Sequence, residues 1–161
     1  MMIRSSNHNG FTIIELIMVV CMIALVMAFA GPSLDGYTRE IKTKAVAREI
    51  YTNLQLARLT AIKQNKSVNV TFGLNGPAAM SVTYSSDGSN VIPSVNFSQV
   101  DPDIVLSITP TQTGQVTYNP TGTLNSIPQV ITVSSNDPQI VTQYEYDITI
   151  NATGGLKLDK V

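Results

Sequence analysis

One apolar run, Phe11 to Gly31, limits what this chain can fold into more than any other feature of the sequence. Its 21 residues contain a single side chain that ionises near neutral pH, Glu15. As a helix the run would extend about 31 Å, close to the hydrocarbon thickness of a bilayer. The sequence therefore predicts a transmembrane stem over residues 11–34, and Arg4 favours the cytoplasmic side for the N-terminus.

The position of Glu15 in the apolar run indicates a function, because placing an acid within a membrane costs about 2.5–3.5 kcal/mol on insertion scales. A second interpretation of the run is ordinary secretion, since Ala28 and Ala30 form the A-x-A arrangement of a signal-peptidase site. The run is longer than the usual apolar region of a secretory signal, and an acid within such a region is atypical. A membrane stem that is retained is therefore the favoured interpretation.

The residues around the start of the run, GFTIIE from Gly10 to Glu15, resemble the type IV prepilin (class III) signal. The resemblance implies a leader over residues 1–10, cleavage by a prepilin peptidase between Gly10 and Phe11, and methylation of the new N-terminus at Phe11. It also implies that Glu15 pairs with the N-terminal amine of a neighbouring subunit during assembly. The alternative is an acid near the membrane interface that snorkels or becomes protonated.

Beyond the stem the helical pattern is interrupted and then resumes. Gly31 and Pro32 predict a helix kink, because proline removes a backbone hydrogen bond. Two interpretations of this pair stay open: a simple kink where the helix leaves the membrane, and a helical segment that loosens in a filament. An amphipathic spine helix is predicted over residues 35–66, with an apolar stripe that faces a globular domain. The stripe consists of Val46, Ile50, Leu54, Ala57 and Ala61.

Charge is distributed unevenly along the chain. Residues 35–66 hold seven basic and three acidic side chains, whereas residues 67–161 hold two basic and seven acidic ones. A basic helix thus precedes an acidic domain. The basic surplus is either a solvated helix face or a surface that binds a partner.

Residues 67–161 are predicted to form a β domain, because short alternating runs are separated by turn signals such as Asp87-Gly88 and Gly154-Gly155. The fold class is α+β, with antiparallel strands packed against one long N-terminal helix. The predicted strands are Val68–Phe72, Met80–Tyr84, Ile104–Ile108, Gln115–Tyr118, Val130–Val133, Tyr144–Ile150 and Leu156–Leu158.

Three further segments resemble the GspH/FimT branch of minor pilins and pseudopilins. They are LQLARLTAIKQNKSVNVTF (54–72), YNPTGT (118–123) and ITINATGGLKL (148–158). The resemblance implies a two-sheet β domain on a long helix. It also implies a structural subunit of a type II secretion pseudopilus, in the priming or tip part of the filament. The subunit would cross the inner membrane once, with its C-terminal domain in the periplasm and other pilins as its partners. The alternative is a minor type IV pilin that acts in pilus assembly or DNA uptake.

Catalysis is not expected from this composition. The only histidine is in the predicted leader and the only cysteine, Cys21, is in the apolar run, so His- or Cys-based nucleophiles and zinc sites are excluded. Asp101 and Asp103 stand in a Pro-containing turn, where two acids usually form an ordinary loop. No cofactor and no metal site are predicted.

DNA binding has weak support in the sequence. DNA-binding members of this branch carry arginines in the terminal hairpin, whereas this chain has Lys157 and Lys160 with Asp159 between them. An acidic domain is also a poor surface for phosphate. The two lysines are the candidate nucleic-acid contacts of the alternative function.

Overall fold

The computed structural model describes residues 11–74, 77–110, 114–125, 127–136 and 144–161, and only the backbone of 29–35. The predicted leader and its Gly10 lie outside the described residues. The chain divides into two compact units, Met1–Gly36 and Tyr37–Val161.

One α-helix, α1, extends from Ile13 to Gln64. It ends where Asn65 adopts a left-handed conformation (φ 51°). The Asn65 N–H donates to the Ile62 carbonyl and the Lys66 N–H donates to the Ala61 carbonyl, which is the Schellman pattern. The predicted long helix is confirmed, two residues shorter at its C-terminal end. α1 includes Gly31 and Pro32, and the kink there stays a prediction.

Eight strands form two antiparallel four-stranded sheets. Sheet A has the order β3-β2-β1-β5, and sheet B has the order β4-β6-β7-β8. The strands are β1 (Val68–Gly73), β2 (Ala79–Tyr84), β3 (Asn90–Asn96), β4 (Ile104–Thr109), β5 (Gln115–Tyr118), β6 (Gln129–Ser135), β7 (Glu145–Ile150) and β8 (Leu156–Lys160). The predicted α+β class and the two-sheet arrangement are confirmed.

The sequence prediction missed β3, which lies at an edge of sheet A. Pro93 interrupts its apolar pattern, and a proline within a run argues against a strand unless the strand is at an edge. The register between β2 and β3 is irregular, with shifts between Met80 and Thr83. Pairing with β2 therefore makes this segment a strand, which its own pattern does not predict.

The core of the second unit is one cluster in which the helix stripe meets the inward faces of both sheets. The prediction that the stripe faces the globular domain is confirmed, because each of its five residues is at most 1% exposed. They are Val46, Ile50, Leu54, Ala57 and Ala61. β6 shows strict alternation of buried and half-buried residues, as expected for a strand with one face on a core. The largest buried side chains include Tyr118, Phe97, Ile50 and Leu54.

Candidate functional site

The first turn of α1 is capped by side chains of the predicted signal itself. The Thr12 hydroxyl accepts a hydrogen bond from the Glu15 N–H at 3.3 Å, and the Glu15 carboxylate accepts one from the Thr12 N–H at 3.5 Å. This reciprocal pair is a capping box, and the Glu15 N–H also donates to the Thr12 carbonyl at 3.1 Å. Glu15 therefore has a local role in starting the helix, and the T-x-x-E spacing in the sequence is its signal.

Every residue of the largely apolar segment 11–28 is exposed. Phe11 is 86% exposed and Ile13 80%, and the free Cys21 is exposed as well. Such a surface is unfavourable in water, because each buried apolar side chain stabilises by about 1.5–3 kcal/mol relative to its exposed state. Within the described part of the chain, no helix meets the length and hydropathy required of a membrane span.

The beginning of the second unit's helix is attached to the start of β4 by ion pairs. Arg39 Nη1 lies 2.8 Å from Asp103 Oδ2 and 3.9 Å from Asp101 Oδ1, and Lys42 Nζ lies 3.6 Å from Asp101 Oδ2. Asp101 is buried and also accepts a hydrogen bond from the Asp103 N–H at 3.1 Å. These two acids thus bind basic side chains of the helix, which explains their position in a turn.

The same part of the helix also binds the last strand, β8, at the other edge of sheet B. The carboxylate of Glu40 pairs with the ammonium of Lys160 and accepts a hydrogen bond from the Tyr146 hydroxyl at 3.5 Å. The ammonium of Lys160 also lies 5.7 Å from the centre of the Tyr144 ring. The hydrogen bond from Lys160 lowers the pKa of Glu40 below its usual value, and the same bond raises the pKa of Lys160.

Both candidate nucleic-acid contacts have acidic partners. Lys160 pairs with Glu40, as described above, and Lys157 Nζ lies 2.9 Å from Asp159 Oδ2 on the same strand. A lysine that is paired with a carboxylate offers less positive charge to a phosphate. The geometry gives no support to these residues as a DNA surface.

Three segments meet at Arg58, and two of them are the turns that carried the family resemblance. Arg58 Nε donates to the Gly122 carbonyl at 3.0 Å, and Nη2 donates to the Thr153 carbonyl at 3.0 Å. Gly122 and Gly154 have positive φ, 78° and 77°. A Cβ at Gly154 would lie 2.1 Å from the Gly122 carbonyl oxygen, so the close approach of the two turns requires glycine.

Sequence reasoning missed these helix-to-sheet contacts, because nothing local to Arg39, Glu40 or Arg58 indicates a partner. The basic surplus of residues 35–66 was the only signal, and the structure shows that Arg39, Lys42 and Arg58 use their charge within the chain. Among the described residues, no group of three or more His, Cys, Asp or Glu side chains is placed to hold a metal ion.

Residues 46–154 match the sequence model of a protein family described as type II transport protein GspH. The chain belongs to the GspH family. The matched region comprises the last 19 residues of α1 and most of the β domain, including both glycine turns at Arg58. Among curated proteins, no sequence matches this GspH-family chain.

Solved structures show the same fold. The type IV minor pilin FimU of Pseudomonas aeruginosa (strain PAO1) has a TM-score of 0.60 at 18% identity, over 76% of this chain and 92% of that one. The minor pseudopilin EpsH from the type 2 secretion system of Vibrio cholerae has a TM-score of 0.58 at 14% identity, over 74% and 97%. With the family membership, these findings confirm the interpretation of the GspH-family chain as a type IV pilin-like minor pseudopilin.

Proposed function

We propose that this pseudopilin is a structural, non-catalytic subunit of a type II secretion pseudopilus, in the priming or tip part of the filament. It is held in the inner membrane by residues 11–34, with its β domain in the periplasm. Prepilin peptidase cleaves between Gly10 and Phe11 and methylates Phe11. Membership of a type II transport family supports the choice of machine.

The observation that carries the proposal is the exposed apolar stretch of helix that begins within the prepilin-like motif. A helix that is apolar on all sides requires an apolar environment, either lipid or the helices of neighbouring subunits. A pilin-like subunit has both environments in turn, because its helix lies in the membrane before assembly and packs against the helices of other subunits afterwards. The sequence motif at its start gives the cleavage that leaves this helix on the mature chain.

Glu15 is proposed as the assembly contact. Its carboxylate is four residues after the mature N-terminus, where it can reach the amine of a neighbour in an apolar medium. Pairing the two charges offsets part of the cost of removing both from water. In the single chain the same carboxylate caps the helix through the Thr12 N–H, so an assembly role must be separated from a capping role.

A pair of substitutions separates the two roles. Glutamine at the third position of a helix caps nearly as glutamate does, but it carries no charge. Glu15→Gln should therefore insert and accumulate normally, yet fail to co-purify with other pilin-like subunits, as should Glu15→Ala. Crosslinking and co-purification are measured from membranes at equal abundance of each variant.

The control is Glu15→Asp, which keeps the charge and should retain part of the association. Normal association of Glu15→Gln together with loss in Glu15→Ala would show that Glu15 acts as a cap alone. Normal association of both would show that this acid is not an assembly contact.

The second candidate function is a minor type IV pilin, which the fold shared with the minor pilin FimU favours. The Glu15 series applies equally to that case. The identity of the subunits that co-purify, secretion or pilus components, distinguishes the two.

A further inference from the structure

The last turns of α1 carry an apolar surface separate from the core stripe. Leu56, Leu59 and Ile62 follow one another at three-residue intervals, so they lie side by side on the helix. Their side chains are 42%, 62% and 46% exposed. These three residues are called the helix ridge. A helix that buries one stripe and still exposes another in this way has room for a second partner.

Two open grooves share Leu59 and Ile62 as lining residues. The first, about 610 Å³, is also lined by Tyr51, Gln55, Arg58 and Leu156. The second, about 530 Å³, is also lined by Leu56, Thr60, Lys63 and Gln64. The ridge therefore stands between two depressions, a shape that can interlock with side chains of another protein surface.

The charged side chains of the chain segment that carries the ridge are basic, although Lys66 lies over the Tyr84 ring with Asp87 nearby. Between Glu49 and Asp87 the sequence contains Arg58, Lys63 and Lys66 and no acidic residue. Lys63 and Lys66 are exposed. A partner that covers the ridge must therefore tolerate or complement positive charge, which favours a protein surface with acidic side chains over a surface of the same sign.

The outer face of sheet B carries a surplus of acidic side chains, although Lys157 on the same face pairs with Asp159. Glu145 and Asp147 alternate along β7 with the buried Tyr146 and Ile148, so they lie on the face away from the core. Asp159 is the register partner of Asp147 on the neighbouring strand. Val105, on β4 of the same sheet, is 42% exposed between the buried Ile104 and Leu106 and adds an apolar side chain to this face.

We propose that the helix ridge docks on the acidic outer sheet face of a neighbouring pilin-like subunit, a face of the kind that sheet B of this chain displays. The inference rests on the proposed function, but it concerns a contact separate from Glu15. One subunit uses its helix and the other its sheet, so the contact is heterologous.

The test places the photo-crosslinking residue p-benzoylphenylalanine at position 59 of the full chain, expressed in its host with the host's other pilin-like proteins. The matched control has the same residue at Thr71, an exposed position in the middle of sheet A. Position 59 should give an adduct with a pilin-like subunit, and mass spectrometry should locate the contact on an acidic β-strand of that subunit. Position 71 should give little or none of this adduct.

A charge reversal tests the electrostatic part. Lys63→Glu should lower the yield of the position-59 adduct about two- to fivefold, the range expected for one exposed ion pair that is lost. Lys44→Glu makes the same charge change at an exposed position of the same helix and should leave the yield unchanged.

The docking proposal is overturned if position 59 gives no more adduct than position 71, or if it labels lipid, a protein that is not pilin-like, or the N-terminal helix of a subunit. An equal effect of Lys63→Glu and Lys44→Glu would also contradict it. If the chain co-purifies with pilin-like subunits in a Glu15-dependent way but position 59 gives no adduct, the docking proposal is refuted and the proposed function stands. If the wild-type chain associated with no pilin-like subunit at all, the proposed function itself would be refuted.

Discussion

Alanine at Gly154 tests whether the junction at Arg58 holds the helix and both family turns together. The backbone of Gly154 has φ 77°, and a Cβ there would lie 2.1 Å from the Gly122 carbonyl oxygen and 3.0 Å from Arg58 Nε. Gly88 is a matched control, because it has φ 70° but no heavy atom within 4 Å of the corresponding Cβ. The two substitutions share the backbone strain and differ in the collision.

The magnitudes follow from this difference. Left-handed backbone costs an ordinary residue roughly 1–2 kcal/mol, so Gly88→Ala should lower the free energy of unfolding by that amount. In Gly154→Ala the Gly122 carbonyl must also move, which disturbs the two hydrogen bonds from Arg58. Bonds from a charged group contribute about 1.5–3 kcal/mol each when well formed, and partial exposure reduces this. An additional loss of about 2–3 kcal/mol is expected at Gly154.

Thermal unfolding of the full chain in detergent micelles, followed by circular dichroism, measures both variants. For a chain of this size each kcal/mol corresponds to about 2–4 °C in Tm. Gly154→Ala should therefore melt roughly 4–12 °C below Gly88→Ala. Equal Tm values for the two variants would refute the argument, because they would mean that the turns separate without cost.

Two further predictions concern the N-terminus and the last strand. Mass spectrometry of the mature protein should find Phe11 as the first residue, with the mass increment of one methyl group, and a start at Gly31 would instead establish ordinary secretion. The Glu40–Lys160 pair should stabilise the chain across the neutral range. The lowered pKa of Glu40 makes its contribution disappear as pH falls through that pKa, and the raised pKa of Lys160 makes its contribution disappear as pH rises through that one. Urea unfolding should thus show Lys160→Met to be less stable than wild type at neutral pH, and the difference should shrink as pH falls through the lowered pKa of Glu40. A difference that persists undiminished in acid would contradict this account.

Much of the fold was predictable because its signals are local. The long helix follows from the apolar run and from the stripe at Val46 to Ala61, both of which repeat within a few residues. Seven of the eight strands alternate in hydropathy between turn residues. The prepilin motif, with Gly10, Phe11 and Glu15, is likewise a short contiguous pattern, and the family match that begins at Val46 supports the resemblance from an independent part of the chain.

The capping role of Glu15 was also present in the sequence, as a T-x-x-E spacing, but the assembly interpretation obscured it. β3 was not predictable in the same way. Pro93 argues against a strand, and only pairing with β2 at the sheet edge makes this segment extended.

What only the tertiary structure decided is which charged side chains meet. Arg39 lies 64 residues from Asp103 in sequence, Arg58 lies 64 from Gly122, and Glu40 lies 120 from Lys160. Such pairs depend on the rotation of the helix about its axis and on the register of each strand, which are set by the packing of the common core. Neither the helix rotation nor the strand register can be predicted from local sequence. The sequence of the basic segment therefore could not show whether its charges make contacts within the chain or bind a partner. In the folded chain Arg39, Lys42 and Arg58 bind groups of the same chain, whereas Lys63 is exposed beside the helix ridge.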